Sequence, residues 1–236
     1  MSLTVMQEIF ILLEDEKEVP FFRLKRWGRA ARGVLSKLKN LGWAEKFQKN
    51  NEIFYRITPK GENYIDDVLS ILKLKGKWDQ KWRLIIFDIP ENNRSVRDRL
   101  RRYLNSLGLG ILQASVWISP ENIKEKIDGI SLKLKLGSQI KYFEVKATSQ
   151  LNQQIIEKAW NLPEVNEALE KFIKEAKWSL KGMGKGNGDR FKSKKLIFEY
   201  ALILKKGPKL PLEFIEQNKV RCQAHELYLE LRRFAI

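Results

Sequence analysis

One cysteine, Cys222, and one histidine, His225, are all the chain has of either residue, and the scarcity removes much chemistry at the outset. A single cysteine excludes an internal disulfide and any cysteine-based zinc site, and it suits a reducing compartment. A single histidine cannot join a second His and a Cys in a conventional triad, while carboxylate or hydroxyl chemistry stays open. Long apolar runs are missing too. Ile9 to Leu13 is too short for a membrane span and leads into Glu14, Asp15 and Glu16 rather than a small-residue cleavage site, so a cytoplasmic protein with no membrane partner is expected.

Acid is also in short supply, with 29 Asp and Glu facing 45 Lys and Arg among 236 residues, a formal charge of +16. The excess is spread along the chain: 14 basic against 10 acidic residues in 1–75, 14 against 8 in 76–149, and 17 against 11 in 150–236. With 43% hydrophobic and 31% charged residues, this is the composition of a soluble globular chain. A surface of that sign attracts polyanions through phosphate neutralisation and counterion release, and an anionic membrane or acidic protein could use the same field.

The local shortage is sharpest between Val19 and Ala44, where no acidic residue occurs. Within that stretch Ala31, Val34, Leu35, Leu38 and Leu41 recur at helical spacing and predict a core-facing side. Arg29, Arg32, Gly33, Ser36, Lys37 and Asn40 fall opposite. Gly42 closes the helix, Trp43 to Phe47 and Ile53 to Ile57 read as strands around Lys49-Asn50-Asn51, and Thr58-Pro59-Lys60-Gly61 turns into a helix ending near Leu74. Preceded by helices over Leu3 to Leu13 and Pro20 to Trp27, this order predicts a winged helix-turn-helix in residues 1–75.

Lys75 to Lys81 reads as a linker. Trp82 to Asp88 is a nearly continuous apolar run, as expected of a central strand, and Pro90 stops it. A helix over Arg94 to Leu107, extended chain over Leu109 to Ile118, a helix over Glu121 to Leu136 and a strand over Ile140 to Val145 predict a ferredoxin-like α+β sandwich in residues 76–149. Residues 150–236 read as a mostly helical α+β domain. Helices are expected over Asn152 to Trp160, from Pro163 to about Trp178, and over Gln223 to Phe234, with a strand at Leu196 to Leu204 and a turn at Gly207-Pro208. Between them Lys181 to Lys195, with glycines at 182, 184, 186 and 188, reads as an exposed mobile loop rather than a phosphate cradle, because no strand precedes it. Trp78, Trp82, Trp117, Trp160 and Trp178 are read as core or interface residues, and His225 as packed within the last helix.

Four stretches together resemble the PaaX family of bacterial transcriptional regulators: AARGVLSKLKNLGW with FYRITPKG, WRLIIFDIPENNRSVRDRLRRYLNSLGLG with SVWISP, KAWNLPEVNEALEKFI, and GPKLPLEFIEQNKVRCQAHELYLEL. The central stretch is also similar to the small nuclease-like protein of CRISPR adaptation, whose ferredoxin-like domain carries an aspartate at the end of its first strand. Here that position is Asp88, and QASVW at 113–117 matches the second-strand signature. The resemblance implies a homodimeric repressor of transcription with the central domain as its dimerisation module. It also implies a small-molecule effector, whose identity no motif specifies.

Double-stranded DNA is therefore the expected partner, and Arg29, Arg32, Gly33, Ser36, Lys37, Lys39, Asn40 and Lys49 are the expected contacts. Arg and Lys can reach guanine edges or phosphates, Asn40 can pair with adenine, and Gly33 permits close approach. Against this stands an ordinary solvated basic face. Asp88 is the candidate for the enzyme alternative, a nuclease in which it would hold Mg²⁺. The preferred reading of Asp88 is structural, a carboxylate accepting backbone hydrogen bonds in the turn before Pro90, with no cofactor. A nonenzymatic CRISPR-associated adaptor is a third reading.

Overall fold

The computed structural model describes residues 3–73, 78–146, 155–160, 162–184, 187–206 and 218–235, and in these the chain divides into two compact units. The first combines residues 1–73, 168–203 and 220–236, and the second combines 74–167 and 204–219.

In the first unit, helix α1 (Val5–Glu16) starts at Thr4, whose hydroxyl accepts from Gln7 N while the Gln7 side chain accepts from Thr4 N. This capping box satisfies two amides that the helix leaves unpaired. Strand β1 (Glu18–Pro20) and the short helix α2 (Phe21–Leu24) lead through a 3₁₀ turn at Lys25–Trp27 into helix α3 (Ala30–Asn40). Strands β2 (Ala44–Lys49) and β3 (Glu52–Ile57) form the hairpin, and β1 pairs antiparallel along the free edge of β3. Asn50 and Asn51 both take positive φ, 51° and 61°. That is the geometry of a two-residue type I′ turn, whose twist matches that of the flanking strands. Helix α4 (Pro59–Leu69) is capped by Thr58, and Gly61 passes so close to the Trp43 carbonyl that a Cβ would collide with it.

The core of this unit is not built by the N-terminal segment alone. Ile9, Phe10, Leu12, Leu13, Leu35 and Leu38 form one cluster with Phe198 and Ala201, which lie on helix α9 (Asn187–Lys206). Ion pairs line the same contact. Arg190 Nε lies 2.8 Å from the buried carboxylate of Asp15, Lys194 Nζ lies 3.1 Å from it and 2.9 Å from Glu14, and Lys195 bonds Glu8. Burial would raise the Glu8 pKa, but its hydrogen bonds to Lys195 and Trp27 outweigh that and hold it below the usual carboxylate range.

The expected strand at Leu196 to Leu204 is thus a helix, and the expected loop is helical from Asn187 onward. Residues 196–201 are buried without interruption, so this part of α9 is enclosed on all sides and has no polar face from which a helical period could be read. Helix α8 (Leu162–Lys181) places Trp178 at 78% exposure, outside any core. Helix α10 (Lys219–Arg232) closes the unit. There Phe172, Tyr200, Tyr228 and His225 form a chain of rings with centroids 5.0, 5.4 and 5.6 Å apart. Burial holds the His225 pKa below its ordinary value, against the pull of Glu226. Every element described in residues 155–235 is helical; the Gly207-Pro208 turn and residues 152–154 lie outside the described residues.

The second unit contains β4 (Lys81–Phe87), α5 (Arg94–Ser106), β5 (Gly110–Gln113), β6 (Val116–Ser119), α6 (Lys124–Leu134) and β7 (Ile140–Lys146). The sheet order is β5-β6-β4-β7 with every neighbour antiparallel. This is the ferredoxin-like arrangement expected from the sequence. β4 is central, and alternate residues Ile85 and Phe87 pack with Leu100, Leu104, Trp117 and Ile127 under the two helices. On the other face Trp82 and Ile118 meet Ile156 and Ala159 of a short helix, α7 (155–159), and Trp160 just after it. Gly110 is required beneath it, since a Cβ would come within 2.6 Å of Ala159 Cβ. Arg83 interrupts the apolar strand yet is buried; its guanidinium bonds Asp79 and donates to the carbonyls of Lys81 and Pro120, at 2.9 and 3.1 Å.

Candidate nucleic-acid interface

Helix α3 buries Ala31, Leu35 and Leu38 and exposes Arg32, Gly33, Ser36, Lys37, Lys39 and Asn40; Arg29, at its N-cap, is exposed as well. At 100° per residue, Arg29, Gly33, Ser36 and Asn40 form the centre of the exposed stripe. Arg32 and Lys39 flank it on one side and Lys37 on the other. Among the described residues none of these side chains makes a hydrogen bond or an ion pair, so four cations (Arg29, Arg32, Lys37 and Lys39) are left without acidic partners. The acid-free sequence from Val19 to Ala44 is the cause. At Gly33 a Cβ would meet nothing within 4 Å, which puts the backbone itself at the surface in the middle of the stripe.

The hairpin differs. Lys49 Nζ lies 2.8 Å from Glu18 and 5.9 Å from the Phe54 ring, and Arg56 pairs with Glu45 across the strands. These exposed pairs add little stability, typically below about 1 kcal/mol each, but Lys49 is already engaged where the α3 cations are not. Asn50 and Asn51 stand exposed at the hairpin tip. Two further cations lie just before α3. Lys25 is exposed, and the Arg26 guanidinium sits 3.9 Å from the Trp27 ring and 5.2 Å from Phe191. The sequence singled out neither, although both fall inside the acid-free run that signals the patch.

Asp88 lies just past the end of β4, exposed, with its amide donating to the Gln139 carbonyl at 2.8 Å. No group of three or more His, Cys, Asp or Glu side chains converges as a metal site among the described residues. No helix among them is long and apolar enough to cross a membrane.

Residues 75–156 match the family model described as the PaaX protein central Cas2-like domain. The chain resembles the PaaX family through this central domain. The PaaX-like match covers the β4-to-β7 sheet and its two helices and ends at the start of α7. A likeness of fold extends further: the uncharacterized protein Rv0674 from Mycobacterium tuberculosis superposes with a TM-score of 0.52 over 88% of this chain and 83% of its own, at 15% identity. No curated protein matches the sequence.

Proposed function

We propose that the chain is a sequence-specific DNA-binding regulator of transcription, a repressor of the PaaX type that acts as a homodimer in the cytoplasm. The observation that carries this reading is the exposed, uncompensated cationic stripe of α3 beside a hairpin wing. A stripe of Arg, Ser, Lys and Asn offers both phosphate contacts and the donors and acceptors that read base edges in the major groove. In a dimer, two such helices enter successive major grooves about one helical turn apart, and promoter occlusion follows. Residues 1–75 read the DNA, 76–149 hold the dimer, and 150–236 respond to a small-molecule effector. The contact of α9 with α1 gives that last region a mechanical route to the DNA-reading helix.

The test is selection of bound fragments from genomic DNA, followed by binding measurements on the enriched duplex. A two-fold related site is expected. Arg32→Ala and Ser36→Ala should each weaken binding by about 5- to 150-fold, the range for loss of one base contact of about 1–3 kcal/mol. Unchanged binding by both variants removes α3 as the reading helix.

A further inference from the structure

Helix α5 carries a charge pattern that the winged-helix reading leaves unused. Five of the chain's fifteen arginines fall within Arg94 to Arg102, and α5 holds no lysine although the chain has thirty. Elsewhere, solvated positive charge is supplied mainly by lysine, a compact and strongly hydrated ammonium. In α5 it is supplied only by the planar guanidinium fork, which pairs with phosphate oxygens through two parallel bonds.

One side of the helix is fixed in the core by Leu100 and Leu104, both fully buried. The other side shows Arg94, Arg99 and Arg102 to solvent. The single acid on the helix, Asp98, lies 3.8 Å from Arg94 Nε. Arg102 reaches only the Asp98 carbonyl, at 3.3 Å, and Arg101 anchors on the Ala114 carbonyl at 3.0 Å. Arg99 makes no hydrogen bond or ion pair among the described residues, and Arg97 Nε is buried without a hydrogen-bond acceptor. Like charges three and four residues apart, as in Arg94 and Arg97, Arg97 and Arg101, or Arg99 and Arg102, repel one another. Asp98 alone cannot balance five guanidinium groups; a polyanion would.

We infer that α5 is a second nucleic-acid surface, on the central unit, that grips the phosphate backbone of duplex DNA through Arg94, Arg99 and Arg102 without reading bases. The phosphate chemistry follows from α5 itself; the choice of DNA over RNA rests on the reading of α3.

The experiment uses the full chain and random-sequence duplexes of DNA and of RNA, with binding followed by fluorescence anisotropy over a range of NaCl concentrations. Arg99→Ala with Arg102→Ala should lower the slope of log affinity against log salt on DNA by about 1.8, from roughly 0.9 per lost phosphate contact. The same drop should appear in an Arg32→Ala background. Lys174→Ala with Lys177→Ala, which removes equal charge from the exposed face of α8, should leave the slope in place. An unchanged slope in the α5 variant overturns the inference, as does an equal fall in the α8 control, which would reduce the effect to net charge. A fall confined to RNA overturns the assignment to DNA. If Arg32→Ala and Ser36→Ala leave binding to the selected duplex unchanged while the α5 variant still falls on random DNA, α5 stands and the α3 reading fails. Arg99→Lys with Arg102→Lys guards against misfolding: it keeps the charge but loses the fork, so its salt slope should stay near that of wild type while its affinity falls between wild type and the alanine variant.

Discussion

Gly33 stands in the interior of α3, where alanine would be more favourable by about 0.5–1 kcal/mol. At Gly61 and Gly110 a side chain would strike the Trp43 carbonyl or Ala159, so packing accounts for those glycines. At Gly33 there is only open space. The fold does not need this glycine, whereas the proposed approach of a DNA groove to α3 does. Gly33→Ala is therefore expected to raise stability by about 0.5–1 kcal/mol in denaturant unfolding while weakening binding to the selected duplex; a variant both more stable and equally tight would remove the close-approach argument. Other single residues show where sequence reasoning runs out. Trp82, Trp117 and Trp160 sit in apolar runs and are buried, but Trp178 lies between Lys177 and Ser179 and is exposed. For a large aromatic, its helical position decides: Leu169, Phe172, Ile173 and Ala176 before it are buried, and Trp178 falls off that face.

Among elements, α3 and the hairpin were legible because one residue pattern implied one structure: a 3.6-residue apolar period on the helix, and Asn-Asn at a turn that demands positive φ twice. Helix α9 was not legible. LIFEYALIL, at 196–204, is apolar nearly throughout, and a continuous apolar run fits a buried strand as well as a helix enclosed on all sides. The glycines before it suggested a loop, yet the helix begins at Asn187 and uses its basic residues to hold α1. No local pattern could pair Arg190 with Asp15, 175 positions away. The contact has a measurable consequence. Asp15 is 8% exposed and answered by Arg190 and Lys194. Removing both cations leaves a buried carboxylate uncompensated, which costs about 3–5 kcal/mol. Arg190→Ala with Lys194→Ala should lose that much stability in a denaturant titration, and adding Asp15→Asn should recover most of it. Failure of the third substitution to restore stability would mean that the loss comes from packing rather than charge.

For the whole molecule, the order of the units matters more than their number. The chain leaves the first unit at Lys73, builds the second, and returns at Ala168 inside α8. A winged helix read from residues 1–75 as a self-sufficient domain would have to close its core without Phe198 and Ala201, which share one cluster with Ile9, Leu12 and Leu13. It would also leave Glu8, Glu14 and Asp15 without Lys195, Lys194 and Arg190. Because the apolar burial of α1 is completed by a segment far along the sequence, the N-terminal segment and the C-terminal helices fold as one cooperative body. Residues 1–73 produced alone should then lack the full chain's melting transition, and the amides of α1 should exchange with solvent much faster than in the intact protein. Equal protection of those amides in fragment and full chain would show that α9 merely rests on α1; the proposed route from an effector bound by residues 150–236 to helix α3 would then lose its physical basis.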